Sequence, residues 1–237
     1  MRAVIVAASL IVLVAGCSKK GPECESIVKI VNPTADKLTR AGAINAEKAE
    51  EHIAAMNEVA RISADAADAL GKLPLTVPEL QQASVAYQAM AREAASAARE
   101  VGEAVKSAEV GVTAAEEGAK RLESVAETFA KDCAAPENAP GAPSCKAFGE
   151  AMTRFPEDAG KREEAAKVVA ELEKVAFNSK ALADDARQVI ALLKANDKVL
   201  ADLKATEAKA VAAEKKFEGA AEKEGPIVEG LNKICAP

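Results

Sequence analysis

The chain has 237 residues and a formal net charge of −6. A mildly acidic chain gives no reason to expect nucleic acid, which wants a basic face, and gives no polybasic surface for anionic lipid. Aromatic residues make up 3%, with no Trp and one Tyr, which argues against carbohydrate or flat-ring ligands that rest on aromatic platforms. The length suffices for a sizeable core in one domain. Alanine dominates the apolar residues. It is the best helix former but buries little area, so long helices meeting on thin seams are expected.

In chain order, Arg2 precedes an apolar stretch, Ala3 to Val14, which is too short to cross a hydrocarbon core of ~30 Å as a helix. Its length fits the apolar region of a secretory signal peptide. At its end stands Val14-Ala15-Gly16-Cys17. These four residues resemble the lipobox of bacterial lipoproteins. The resemblance implies a diacylglycerol on the Cys17 thiol, cleavage between Gly16 and Cys17 by a lipoprotein signal peptidase, and acylation of the new amino terminus. Several acyl chains on one residue give a stable anchor. Ser18 is not the aspartate of inner-membrane retention, so the resemblance implies the outer membrane in a two-membrane cell. The expected division is a signal peptide over 1–16, a lipidated tether over 17–23 and a single alanine-rich helical bundle over 24–237.

A first helix is expected from Cys24 or Pro33 to Leu70, with Asn32-Pro33 as an N-cap and first-turn proline. Its apolar stripe keeps 3–4 spacing with one slip near Gly42. Gly71 and Pro74 stop it. Thr76 and Glu79 have capping-box spacing, with Pro78 just inside the second helix. That helix carries an unbroken seam: Leu80, Ser84, Tyr87, Ala91, Ala94, Ala98, Val101, Val105, Ala108, Val112, Ala115, Ala119, Leu122, Ala126, Phe129. Gly102, Gly111 and Gly118 point to close packing or mild bending. Residues 133–145 hold three prolines and a glycine and exclude a helix there. A short helix over 144–155 follows, then a periodic pattern from Glu157 through Leu203 that weakens toward Phe217. Gly225-Pro226 is expected to break it before a last turn over 227–234.

Beyond Cys17, the cysteines are Cys24, Cys133, Cys145 and Cys235. In an exported chain four cysteines argue for two disulfides, where zinc would want closer pairs or histidines. Cys133 and Cys145 bracket the proline-rich loop. By elimination Cys24 pairs with Cys235. Paired end cysteines require an even number of helices, whereas the unbroken phase at Asn196-Asp197 favours three. The expected fold is all-α, an elongated antiparallel helical bundle. A four-helix up-down-up-down form with a break at Asn196 is preferred, and a three-helix form is the alternative. The turns around Gly71–Pro78 and Asn196 would then face away from the membrane.

No reactive constellation stands out. His52 is the one histidine, with Met56 one turn on, a spacing that can ligate haem or copper, but no CxxCH motif accompanies it. A solvent-flank histidine is the preferred reading. Di-iron Glu-x-x-His pairs, a Gly-x-Ser-x-Gly elbow and phosphate-loop fingerprints are all missing. Adjacent carboxylates at Glu116-Glu117, Glu163-Glu164 and Asp184-Asp185 read as solvated faces. No catalytic residue, metal or cofactor is assigned. The expected function is a membrane-anchored envelope lipoprotein acting as a structural or protein-interaction module. The membrane, reached through the lipid on Cys17, and an envelope protein are its expected partners. An apolar small molecule or lipid bound between helices, near Phe129, Phe148, Phe155 and Phe177, is the alternative.

Overall fold

A computed structural model describes residues 20–42, 48–134, 142–156 and 161–236. About 90% of these are helical, and no strand occurs among them. The helices are α1 (Gly21–Gly42), α2 (Ala49–Gly71), α3 (Pro78–Ala134), α4 (Ala142–Met152), α5 (Arg162–Leu172) and α6 (Lys180–Cys235). The chain is an all-α antiparallel bundle. It divides into two compact units, one formed by residues up to Ser107 with those from Glu207 on, the other by Ala108–Thr206.

Unit 1 packs four segments with alternating direction. Its first core layer joins Cys24 and Ile27 of α1, Leu70 of α2, Leu80 and Tyr87 of α3, and Val228 and Leu231 of α6. The next joins Leu38, Val59, Ala98 and Phe217, and the last joins Val101, Val105 and Ala213 with Ile53 and Met56. Residue numbers rise along α1 and α3 and fall along α2 and α6, so the arrangement is up-down-up-down.

The four segments are not those expected. The stripe from Val28 to Leu70 is two helices. Its slip near Gly42 marks where the chain reverses, because 3–4 spacing fixes a buried face and says nothing of direction. Asn32-Pro33 does not begin a helix; Pro33 lies inside α1. Ile27 and Val31 continue the buried face through it, and Pro33 is exposed. The Lys29 carbonyl that loses its donor to Pro33 is therefore on the wet side. Helix α1 opens at Gly21 with Pro22 in its first turn, so the last residues of the expected tether are helical. Pro226 repeats the pattern inside α6, exposed while Val228 and Leu231 are buried; the expected break at Gly225-Pro226 does not occur.

Nor is there a break at Asn196-Asp197, which lies within α6. Asn196 packs on Gly118, where an added Cβ would come within 2.0 Å of Asn196 Oδ1. Asp197 takes an ion pair from Arg162 of α5 at 3.2 Å. The interruption falls instead at residues 173–179, where the expected pattern ran on. Ser179 supplies the carbonyl that accepts the Ala183 N–H, and the Ser144 hydroxyl donates to the Ala176 carbonyl at 2.6 Å. The pair Asn178-Ser179 before α6 is a helix-start signal that periodicity hides.

Unit 2 contains the Ala108–Ala134 part of α3, α4, α5, and the Lys180–Thr206 part of α6. One core joins Phe129, Phe148, Val168, Leu172, Leu182, Val189 and Leu193. From Ala108 to Arg121, α3 has no fully buried residue. Its half-buried seam is Ala108, Gly111, Ala115 and Gly118, and Val112, expected on it, is 49% exposed. At Gly111 an added Cβ would come within 2.5 Å of Leu203 Cδ2. The two glycines thus let α3 and α6 approach closely.

Candidate functional site

The most unusual chemistry in unit 1 is Glu224, on the buried face of α6 three turns before its end. The Phe217, Ala220, Glu224, Val228, Leu231 spacing puts a carboxyl where an apolar side chain belongs. Glu224 is 4% exposed, and its Oε1 is buried with no hydrogen-bond partner. Burial pushes its pKa above the ordinary glutamate value. Tyr87, 1% exposed, is likewise raised, first by burial and then by the Glu224 charge. Both line a cavity of about 20 Å³ to which all four helices contribute, with Thr34 and Ser63 as its other polar walls. That volume admits a water molecule and no organic substrate. Its polar lining is one carboxyl, Glu224, and three hydroxyl groups, with no cation among the lining residues.

A second polar cluster sits where α1 begins. The Glu23 carboxylate accepts from the Thr76 N–H at 3.0 Å, the Thr76 hydroxyl at 2.5 Å and the Val77 N–H at 3.2 Å. These bonds, the Thr76 hydroxyl foremost, hold its carboxyl below the usual range. Glu23 thus takes the N–H groups of the two residues just before α3, including the Thr76 N–H that the expected capping box assigns to Glu79. The turn between α2 and α3 therefore lies beside Glu23 and Cys24. The expectation that the Gly71–Pro78 turn faces away from the tether end is corrected, because α1 and α2 form a hairpin and not one helix.

Cys24 and Cys235 lie at disulfide distance, Cα–Cα 5.8 Å, joining the start of α1 to the end of α6. Cys133 and Cys145 lie likewise at 5.9 Å, joining α3 to α4. Cys17 and the lipobox-like residues before it fall outside the described residues. His52 is half-buried and its Nε2 has no partner. Met56 packs into the unit 1 core. Among the described residues no group of three or more His, Cys, Asp or Glu could hold a metal ion, and no helix is long and apolar enough to cross a membrane.

In unit 2, Phe129, Phe148 and Phe177 pack on one another with ring centroids 4.7–5.8 Å apart and fill the core. Beside them a groove of about 640 Å³ opens along Leu172, Val175, Phe177, Ala186 and Ile190. Its cations are already paired, Arg187 with Asp184 at 2.9 Å and Lys194 with Glu173 at 2.6 Å. Asp185, expected on a solvated face, is half-buried and shares a hydrogen bond with Asp132. Burial first, then Asp132, raises its pKa.

Sequence reasoning missed Glu224 and the Asp132–Asp185 pair. For Glu224 the signal was present: an acid at the 3–4 spacing of an otherwise apolar stripe. For Asp132–Asp185 there was none, since the partners come from different helices. Comparison with family models, curated proteins and solved structures finds no match for this chain.

Proposed function

We propose that the protein is a lipid-anchored component of the bacterial cell envelope that acts as a structural or protein-interaction module. The observation that carries this reading is Val14-Ala15-Gly16-Cys17 at the end of an apolar stretch. The start of α1 at Gly21 supports it, since only residues 18–20 separate Cys17 from folded helix. An extended chain of that length reaches roughly 10–14 Å. Cysteine pairs at disulfide distance suit an oxidising compartment. On this reading the tether end of unit 1, with Cys24, Cys235 and the α2–α3 turn, lies against the membrane. The helix flanks then carry the partner surface. Exposed Val85 in unit 1 and Val112 in unit 2 are the places to probe.

Metabolic labelling with a palmitate analogue tests the anchor. Wild-type chain should take up label and Cys17→Ser should not; an unlabelled wild-type chain sinks the lipoprotein reading. Photo-crosslinkers at positions 85 and 112 in intact cells test the module. A reproducible envelope protein adduct supports it, and adducts to neither site count against it.

The groove beside Phe177 favours a second reading, a carrier of an apolar small molecule or lipid. Native mass spectrometry of chain purified without detergent should then show a bound apolar species, and an unliganded chain after incubation with lipid vesicles rejects it.

A further inference from the structure

Glu224 is a buried acid without a counter-ion. Around it α1 presents Thr34, α2 Ser63 and α3 Tyr87, and the remaining lining is apolar. Among these residues Tyr87 is the one other titratable group, and no basic side chain lines the cavity. The neighbouring Lys223 is committed to Glu93 at 2.5 Å on the surface. An ionised carboxylate here would be a buried, unpaired charge, one of the most costly arrangements in a folded chain. A neutral acid avoids that cost but still needs a partner for its oxygens. The cavity's volume of about 20 Å³ exceeds the ~10–15 Å³ a single water requires, and its polar walls offer the two to four partners such a water needs.

We propose that Glu224 is held as a neutral carboxylic acid bridged through one internal water molecule to the hydroxyl groups of the surrounding helices, so that unit 1 loosens when this carboxyl loses its proton. The raised pKa of Glu224 runs in the same direction. Because the folded value lies above the unfolded one, the stabilisation is fully present below the unfolded value. It is lost as pH rises through the folded value. The device would therefore tighten the bundle on acidification and relax it toward alkaline pH.

Carboxyl-selective NMR of the oxidised chain follows the Glu224 proton directly. Its signal should titrate above those of the exposed glutamates; titration among them overturns the proposal. Urea unfolding from about pH 4 to about pH 8, for wild type and Glu224→Gln, reads the consequence. The variant should gain about tenfold or more in its folded-to-unfolded ratio at the alkaline end, with the gain vanishing at the acid end. A gain independent of pH, or none, overturns the device. Water relaxation dispersion tests the bridge: one long-lived water should be present in wild type and lost in Glu224→Leu. If Glu224→Leu removes no long-lived water, the bridge is wrong. Should a variant fail to fold, the wild-type titration alone still decides the protonation state.

Discussion

Helix α3 keeps one period throughout, yet its two parts are built differently. In unit 1, Tyr87, Met90, Ala91, Ala94, Ala95, Ala97, Ala98, Val101, Ala104 and Val105 are all buried. That set wraps a broad arc of the helix, as a segment covered by several partners requires. In unit 2, from Ala108 to Arg121, the protected positions shrink to Ala108, Gly111, Ala115 and Gly118, all only half-buried. This is the strict two-position seam of a helix touching one neighbour. Alanine serves both environments, so in an alanine-rich chain apolar identity does not report how many neighbours cover a face. Residue size at the seam does. Where α6 is the near neighbour glycine allows close approach, and where four helices meet Tyr87, Leu80 and Leu231 fill the volume.

Perturbations that respect this difference should separate the two stretches. The largest effect is expected from the cross-links. Cys24→Ser with Cys235→Ser opens a pair 211 residues apart and should cost about 5 kcal/mol by the chain-entropy estimate. Cys133→Ser with Cys145→Ser opens a pair 12 residues apart and should cost nearer ~3 kcal/mol. Denaturant unfolding of the two double variants compares them directly; equal losses would mean that native-state effects dominate over chain entropy.

Core truncation comes next. Leu80→Ala, at a fully buried unit 1 position, should lose about 2–5 kcal/mol. Leu203→Ala, half-buried against Gly111, should lose about 1 kcal/mol or less, since less area leaves water. Similar losses in urea unfolding would contradict the narrow seam.

Gly118→Leu attacks the close approach itself. Its side chain has no room against Asn196, and overpacking should cost about 1–3 kcal/mol, read as a lowered midpoint in thermal unfolding. The smallest effect has the opposite sign. Gly219 has open space where a Cβ would go, so Gly219→Ala should gain about 0.5–1 kcal/mol from helix propensity, visible as a raised midpoint.

Much of the chain was legible because its signals are local. Gly71 and Pro74 end α2, Pro78 opens α3, and the pattern stops before Pro156, as backbone chemistry demands. The cysteine pairing read from spacing and elimination is the arrangement held at disulfide distance. Errors arose where a buried face continued across a local signal. Proline chemistry marks Pro33 and Pro226 as helix boundaries, but each is exposed while the opposite face stays packed. Asn196 has the residue type of a cap, but its side chain lies against Gly118. Glu23 is expected in the tether, but its carboxylate accepts from the Thr76 and Val77 N–H groups, more than fifty residues on. The candidate site was the least legible part: the 3–4 spacing places Glu224 on the apolar stripe, but spacing alone does not tell that four helices close over it.

By itself the sequence determined that this chain is helical, where α2, α3 and α4 stop, which faces are apolar and which cysteines suit one another. Those properties follow from dihedral preference, missing N–H groups and the 3.6-residue period, all of which act within a few residues. Only the tertiary structure decided that the first stripe folds back on itself, that α6 runs through both Asn196 and Pro226, and that Glu224 is enclosed. Each depends on how much surface distant segments bury together, a quantity that local spacing does not contain.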